Sequence, residues 1–205
     1  MFKKKKDTDA MDRTLTEDIL DFVRVFAISA IAILLFVNFI AHPVTVIGSS
    51  MVPTLEDGEY GFTSVISPAI SEIQRGDIVV INMTGTDGSV SRWVKRVIGL
   101  PGETIEGRNG QVYINGVVLD ESEYLSQEYI DETLAALKAQ SGIDPGYFTS
   151  EFSAVTLGED EYFVMGDNRP VSKDSRDPTV GPVKSSAIFG SGVLVVWPFN
   201  EIGVK

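Results

Sequence analysis

Asn109-Gly110-Gln111-Val112-Tyr113-Ile114-Asn115-Gly116 carries one turn signal twice, with a short apolar run between the copies. Asn-Gly pairs tolerate positive φ at both central positions of a type I′ turn, whose twist matches that of the strands it joins. Thr104-Ile105 precedes the first pair and Val117-Val118-Leu119 follows the second, so the stretch predicts a three-stranded meander. Working outward, Val/Ile-rich runs recur at Asp77 to Met83 and Arg92 to Ile98, then at Ala154 to Leu157, Glu161 to Met165 and Ile188 to Trp197. Val44 to Ile47 alternates and leads into Gly48-Ser49-Ser50-Met51-Val52-Pro53-Thr54-Leu55. One segment breaks the pattern. Ser126 can cap a helix whose apolar positions Ile130, Leu134 and Leu137 share a face, ending near Gly142. The reading is an all-β domain of mainly antiparallel sheets with a helical insertion at about 126–142.

Ahead of this domain lies a different kind of segment. Thr16 reads as an N-cap, and Glu17 and Asp18 suit the positive end of a helix. Apolar character runs from Val25 to Ala41, broken by Ser29 and Asn38. With Ile19 to Phe22 added, the helix reaches the ~20 residues that span a bilayer core. Pro43 disfavours helix at His42 and ends it. A cleaved signal peptide would have an apolar core of about 7–15 residues and an Ala-x-Ala-like exit. Here the run is longer, and Phe39-Ile40-Ala41 lacks the small upstream residue. The expected organisation is a cytoplasmic tail (1–16), an uncleaved anchor (17–42) and an outer domain (43–205). Lys3 to Lys6, Arg13 and Arg24 precede the apolar run, and the next basic residue after it is Arg75. The positive-inside rule then puts the N-terminus in the cytoplasm and the outer domain on the extracytoplasmic face of the cell membrane.

Composition narrows the chemistry. With no cysteine, disulfides, thiolate metal sites and a cysteine nucleophile are excluded. The single histidine, His42, excludes zinc sites built on paired histidines. It also sits at the mouth of the apolar run, where it reads as an interfacial residue rather than a triad base. Residues 1–24 hold six basic and six acidic side chains, so the net charge of −12 belongs to residues 25–205. Such a domain repels phosphate backbones, which argues against a nucleic-acid partner, and it repels anionic headgroups. Any close approach to the bilayer must rest on apolar contact. Trp197-Pro198-Phe199 either makes that contact or packs in the core.

Ser50 stands just beyond the point where the chain leaves the membrane. If it is a nucleophile, its proton must pass to a carboxylate, a tyrosine or a lysine neutralised by burial. Of Lys95, Lys138, Lys173, Lys184 and Lys205, only Lys95 lies in a strongly apolar run, Trp93-Val94-Lys95-Arg96-Val97-Ile98. Desolvation there would depress its pKa. A lysine on the solvated face of an edge strand fits the same pattern.

Four motifs now line up in order. Ser50-Met51-Val52-Pro53-Thr54-Leu55, Arg75-Gly76-Asp77-Ile78-Val79-Val80, Lys95-Arg96-Val97-Ile98-Gly99-Leu100-Pro101-Gly102-Glu103, and Gly166-Asp167-Asn168-Arg169-Pro170-Val171-Ser172-Lys173-Asp174-Ser175-Arg176 resemble those of type I bacterial signal peptidases. The resemblance runs from the anchor to the last strand and is to the short, single-anchor form. It implies a membrane serine endopeptidase that needs no cofactor or metal and cuts signal peptides from exported preproteins after small residues. Ser50 would be the nucleophile and Lys95 the general base, a Ser-Lys variant of triad logic. Ser172 would hold the lysine amine by a hydrogen bond. Asp174, Arg176 and Arg75 would form a supporting ion-pair cluster, and Asp167, Asn168 and Arg169 would shape the turn presenting Ser172.

One position departs from the best-known members, some of which carry a serine two residues before the nucleophile to help bind the oxyanion. This chain has Gly48. The expected oxyanion hole therefore rests on the Ser50 N–H. A substrate strand could pair beside Ser50 or Lys95, with Val46, Val94 and Met51 lining shallow apolar pockets. Core packing explains the same apolar residues. Preprotein signal peptides and the lipid bilayer are the implied partners, with the secretion translocon close by. The rival reading is a specialised or non-catalytic relative serving pilus or secretion-system assembly.

Overall fold

The computed structural model describes residues 15–85 and 87–205. Lys3 to Lys6 and Arg13, on which the orientation chiefly rests, lie outside the described residues.

Helix α1 (Leu15–Phe39) has 25 residues and a mean hydropathy of 2.4 over its most apolar window. At 1.5 Å per residue it is roughly 37 Å long, enough for a hydrocarbon core. None of its residues is buried by the rest of the chain. Among the described residues it is the one helix long and apolar enough to cross a membrane, the mark of a single-pass membrane protein. Its ends differ from those anticipated. Leu15 is the first described residue and is already helical, so Thr16 lies within the helix rather than capping it, and the helix stops at Phe39 rather than near His42. Strand β1 (Ala41–Thr45) follows at once and includes His42 and Pro43. Pro43 is tolerated there because β1 is an edge strand, paired with β2 alone.

The outer domain continues with β2 (Tyr60–Ser64), a short helix α2 (Ser67–Ile70), β3 (Ile78–Thr84), β4 (Val90–Gly99), β5 (Thr104–Arg108), β6 (Gln111–Ile114) and β7 (Val117–Val118). Helix α3 (Gln127–Ser141) is followed by β8 (Phe152–Thr156), β9 (Glu161–Met165), β10 (Val183–Lys184), β11 (Ile188–Trp197) and β12 (Gly203–Val204). Two antiparallel sheets result. The larger runs β1-β2-β11-β3-β4-β9-β10, with β12 on β11, and the smaller runs β7-β6-β5-β8. The meander forms as its turns dictate: Asn109 and Asn115 both have φ 51°, and the glycine after each is also positive. In α3, Ser126 accepts a hydrogen bond from the Tyr129 N–H, and Gly142 closes the helix at φ 69°.

Strand β2 was not anticipated. Its inward positions are Gly61 and Thr63, so it shows no apolar alternation. Gly61 is there because β11 passes too close for a side chain: a Cβ would come 2.2 Å from the Leu194 carbonyl oxygen. Three apolar clusters hold the sheets. One joins β4 to the small sheet through Ile98, Ile105, Val112 and Phe163. A second packs Val46, Met51 and Leu55 against Ile78, Val193 and Val195, and so anchors the loop that carries Ser50. The third holds β3, β4 and β9 together through Val79, Ile81, Val97 and Val164.

Candidate active site

Ser50 begins a tight turn between two anchored residues, Met51 and Leu55, whose backbones are joined by a Leu55 N–H bond to the Met51 carbonyl (3.0 Å). The turn includes a cis Val52–Pro53 peptide. Three further bonds from distant parts of the chain hold it. The Asn168 N–H donates to the Ser50 carbonyl at 3.0 Å. The Tyr129 hydroxyl, on α3, donates to the Val52 carbonyl at 2.8 Å. The Thr54 hydroxyl donates to Asp167 Oδ2 at 2.5 Å. Upstream, Gly48 has φ 88° and gives its N–H to Asp57 Oδ1 at 2.7 Å. That backbone conformation strains any residue with a Cβ, which fits the glycine at this position. The Ser50 N–H donates no hydrogen bond among the described residues.

Lys95 settles the question its sequence left open. It lies on β4 opposite Val79 of β3 and is 4% exposed, so it is not on a solvated face. Its Nζ is 2.7 Å from Ser50 Oγ. Burial, the largest influence, lowers its pKa from 10.5 to about 8; Asp174 and Asp167 pull it up, and Arg176 pushes it down. The amine is therefore a base that can be neutral near physiological pH.

Around this pair stand two buried ion pairs. Arg176 grips Asp174 with two bonds, Nε to Oδ1 at 2.8 Å and a terminal nitrogen to Oδ2 at 2.9 Å. The Gly166 N–H adds a third at 3.0 Å. Burial alone would raise the Asp174 pKa, but the bonds and charge of Arg176 outweigh it and hold the carboxyl below its ordinary range. Arg75 does not belong to this cluster, contrary to expectation. It turns to Glu103 (2.5 Å) and the Ile98 carbonyl, clamping the Leu100 to Glu103 turn that follows β4. The second pair uses Arg96 instead, which contacts Asp167 through two nitrogens at 2.9 and 2.7 Å and reaches the Gly76 carbonyl and the Thr54 hydroxyl. The sequence signals only that a charge beside Lys95 in a buried strand must find a counter-ion, not which aspartate supplies it. Arg169, fully buried, pairs with Glu121 and bonds the Gly166 carbonyl at 3.0 Å.

Ser172 is brought to the site, but the hydrogen bond expected from it to the Lys95 amine is not formed. Its Oγ is shut from solvent and, among the described residues, has no hydrogen-bond partner of good geometry. It lies against Gly166, where an added Cβ would meet Ser172 Oγ at 2.3 Å and the Ser50 carbonyl at 2.4 Å. Gly166 is thus a site residue for its lack of a side chain.

A cleft of about 250 Å³ opens on the pair. Val46, Met51 and Val94 line it together with Ser50 and Lys95, while also packing in the second core cluster. The three residues thus face the cleft and the core together. Trp93, Arg92 and Lys173 line it too and were not anticipated. On β4, β9 pairs only from Arg96 onward, so the Val90 to Lys95 half lacks that partner on one edge beside the cleft. Trp197 and Phe199 pack edge to face with each other and stand exposed at 52% and 72%, outside the core. Among the described residues no group of three or more His, Cys, Asp or Glu side chains is arranged to hold a metal ion.

A family model described as signal peptidase, peptidase S26, matches residues 19–197. Signal peptidase I S of Bacillus subtilis (strain 168) is 40% identical over 186 residues, which cover 91% of this chain and 93% of that protein. Signal peptidase I T of the same strain is 36% identical over 200 residues, covering 98% and 96%. A crystal structure of a signal peptidase I from Enterococcus faecalis V583 is 36% identical and covers 59% of this chain and 97% of its own, with a TM-score of 0.42.

Proposed function

The chain belongs to the signal peptidase family, peptidase S26, and from that premise we propose that it removes signal peptides from exported preproteins with Ser50 as nucleophile and Lys95 as general base. The observation that carries the assignment of roles is the 2.7 Å contact between a buried lysine amine and the serine oxygen. When Lys95 is neutral, the Ser50 hydroxyl donates along that contact and its oxygen attacks the scissile carbonyl. The Ser50 N–H, free of other protein partners among the described residues, faces the developing oxyanion. The Lys95 ammonium returns its proton to the leaving amine, which leaves an acyl-enzyme on Ser50. Lys95 then takes a proton from the incoming water, and hydrolysis frees the serine.

The supporting roles follow from the same contacts. Asp174 and Arg176 fix the segment that bears Ser172, and its buried hydroxyl orients the Lys95 amine. The substrate adds as a strand beside the open edge of β4, with small side chains against Val46, Val94 and Met51. Helix α1 holds residues 43–205 on the extracytoplasmic face with the basic tail inside, beside the translocon where preproteins emerge. The acidic domain takes no part in nucleic-acid binding.

Detergent-solubilised protein incubated with a preprotein carrying an Ala-x-Ala site, with the cut mapped by mass spectrometry, tests this directly. The expected result is one cut after the second alanine, abolished by Ser50→Ala and by Lys95→Met. Cleavage that survives Lys95→Met would overturn the assignment of the base. Refusal of the generic preprotein, with cleavage of pilus or secretion-system subunits, would favour the specialised alternative.

A further inference from the structure

The segment beyond residue 24 carries the whole excess of twelve negative charges, yet among the described residues no aspartate or glutamate lines the cleft. The charged side chains that line it are Arg92, Lys95 and Lys173. Lys95 is committed to Ser50. Arg92 is committed as well, with its guanidinium 3.8 Å over the Phe189 ring and bonded to His42 at 2.8 Å. Lys173 is held only loosely. Its side chain is 58% exposed, and its ion pair with Asp177 is 3.9 Å long and itself open to water. Its place is fixed by the backbone, because it follows Ser172, whose Oγ crowds the same face of Gly166 as the Ser50 carbonyl. Lys173 thus lines the same cleft as Ser50, one residue beyond Ser172.

We infer that Lys173 is a specificity-determining residue that favours substrates with an acidic side chain at the first or second residue after the scissile bond. This rests on the signal-peptidase reading above. Residues before the cut face Val46, Val94 and Met51, which leave no partner for a carboxylate. Residues after the cut are not confined by those side chains, and a carboxylate there can exchange with Asp177 for the lysine. Elsewhere the acidic domain repels such a group, so the lysine offsets a penalty as well as adding an attraction. An exposed ion pair of this kind is worth about 0.2–1 kcal/mol, or roughly a 1.4- to 5-fold change in kcat/KM.

The test uses the full chain in detergent with peptides that share an Ala-x-Ala site and carry Asp, Ala or Lys at each of the two downstream positions. Wild-type enzyme should cut the Asp peptide about two- to fivefold better than the Lys peptide at one of them. Lys173→Glu should reverse that order, Lys173→Met should level it, and Asp177→Asn should widen it. Added salt to about 0.5 M should compress the wild-type ratio, because the pair is exposed. Each ratio is taken within one preparation, so a poorly folded variant lowers both rates alike and leaves the ratio readable. Equal Asp/Lys ratios in wild type, Lys173→Glu and Lys173→Met, with the neutral peptide cut normally, would overturn the inference alone. No cleavage of the neutral peptide by wild type would overturn the underlying reading and this inference with it.

Discussion

The Lys95 amine is drawn down to about 8 chiefly because it is buried, and that single cause acts on activity and stability in opposite directions. For activity, the base must be neutral, so kcat/KM should rise with pH along a limb centred near 8. For stability, the folded pKa lies below the unfolded value of 10.5, so between about 8 and 10.5 the unfolded chain binds more protons. Stability from this group therefore rises with pH across that window. Below it, the buried ammonium costs roughly 3 kcal/mol, at about 1.4 kcal/mol per pKa unit. Lys95→Met keeps the volume and removes the charge. It should be inactive yet more stable than wild type at pH 7, by up to roughly 3 kcal/mol, with the gap closing as pH approaches 10.5. Urea unfolding of both proteins at pH 7 and at pH 10 reads this. A variant less stable than wild type at pH 7 would mean that burial does not disfavour the charged amine.

At the scale of elements, α3 poses the clearest question, since none of its residues is fully buried. Its contribution to the site is the Tyr129 hydroxyl on the Val52 carbonyl, one of three tethers on the turn that begins with Ser50. Tyr129→Phe deletes that tether and keeps the ring against Phe148. The expected result is a several-fold lower kcat with KM nearly unchanged, an unmoved pH limb, and a loss of about 1 kcal/mol in stability. Steady-state kinetics across pH separates this from a role in substrate binding, which would raise KM instead. The same helix was legible in the sequence because its signals are local: Ser126 and Gly142 act on neighbouring backbone groups. Strand β2 was not, because Gly61 and Thr63 answer to β11, a strand some 130 residues away in the chain. The site divides in the same manner. Lys95 could be picked out because its apolar neighbours surround it in sequence, and Ser50 because of its motif. The ion-pair partners could not, since whether Arg75 or Arg96 meets a particular aspartate depends on how β4 lies against the Gly166 to Arg176 segment. Only the fold turns Arg75 toward Glu103 and Arg96 toward Asp167.

For the whole molecule, the distribution of charge and apolar surface decides how it sits at the membrane. Helix α1 buries nothing against the domain, and its apolar surface is matched to lipid. The domain it carries is acidic and keeps Trp197 and Phe199 exposed, so any approach of it to the bilayer must rest on apolar contact rather than charge. Basic side chains cluster before α1, and carrying them across the membrane is disfavoured, so the proposed orientation keeps the tail inside. The absence of cysteine makes this testable without background, because any introduced thiol reports alone. Glu159→Cys places a thiol in an exposed turn ahead of β9, and Thr8→Cys places one in the tail ahead of α1. In intact cells a membrane-impermeant maleimide should label Glu159→Cys at once and Thr8→Cys only after permeabilisation. The opposite pattern would put the cleft in the cytoplasm, where a preprotein presents the wrong end of its signal peptide, and the proposed role in export would fall with it.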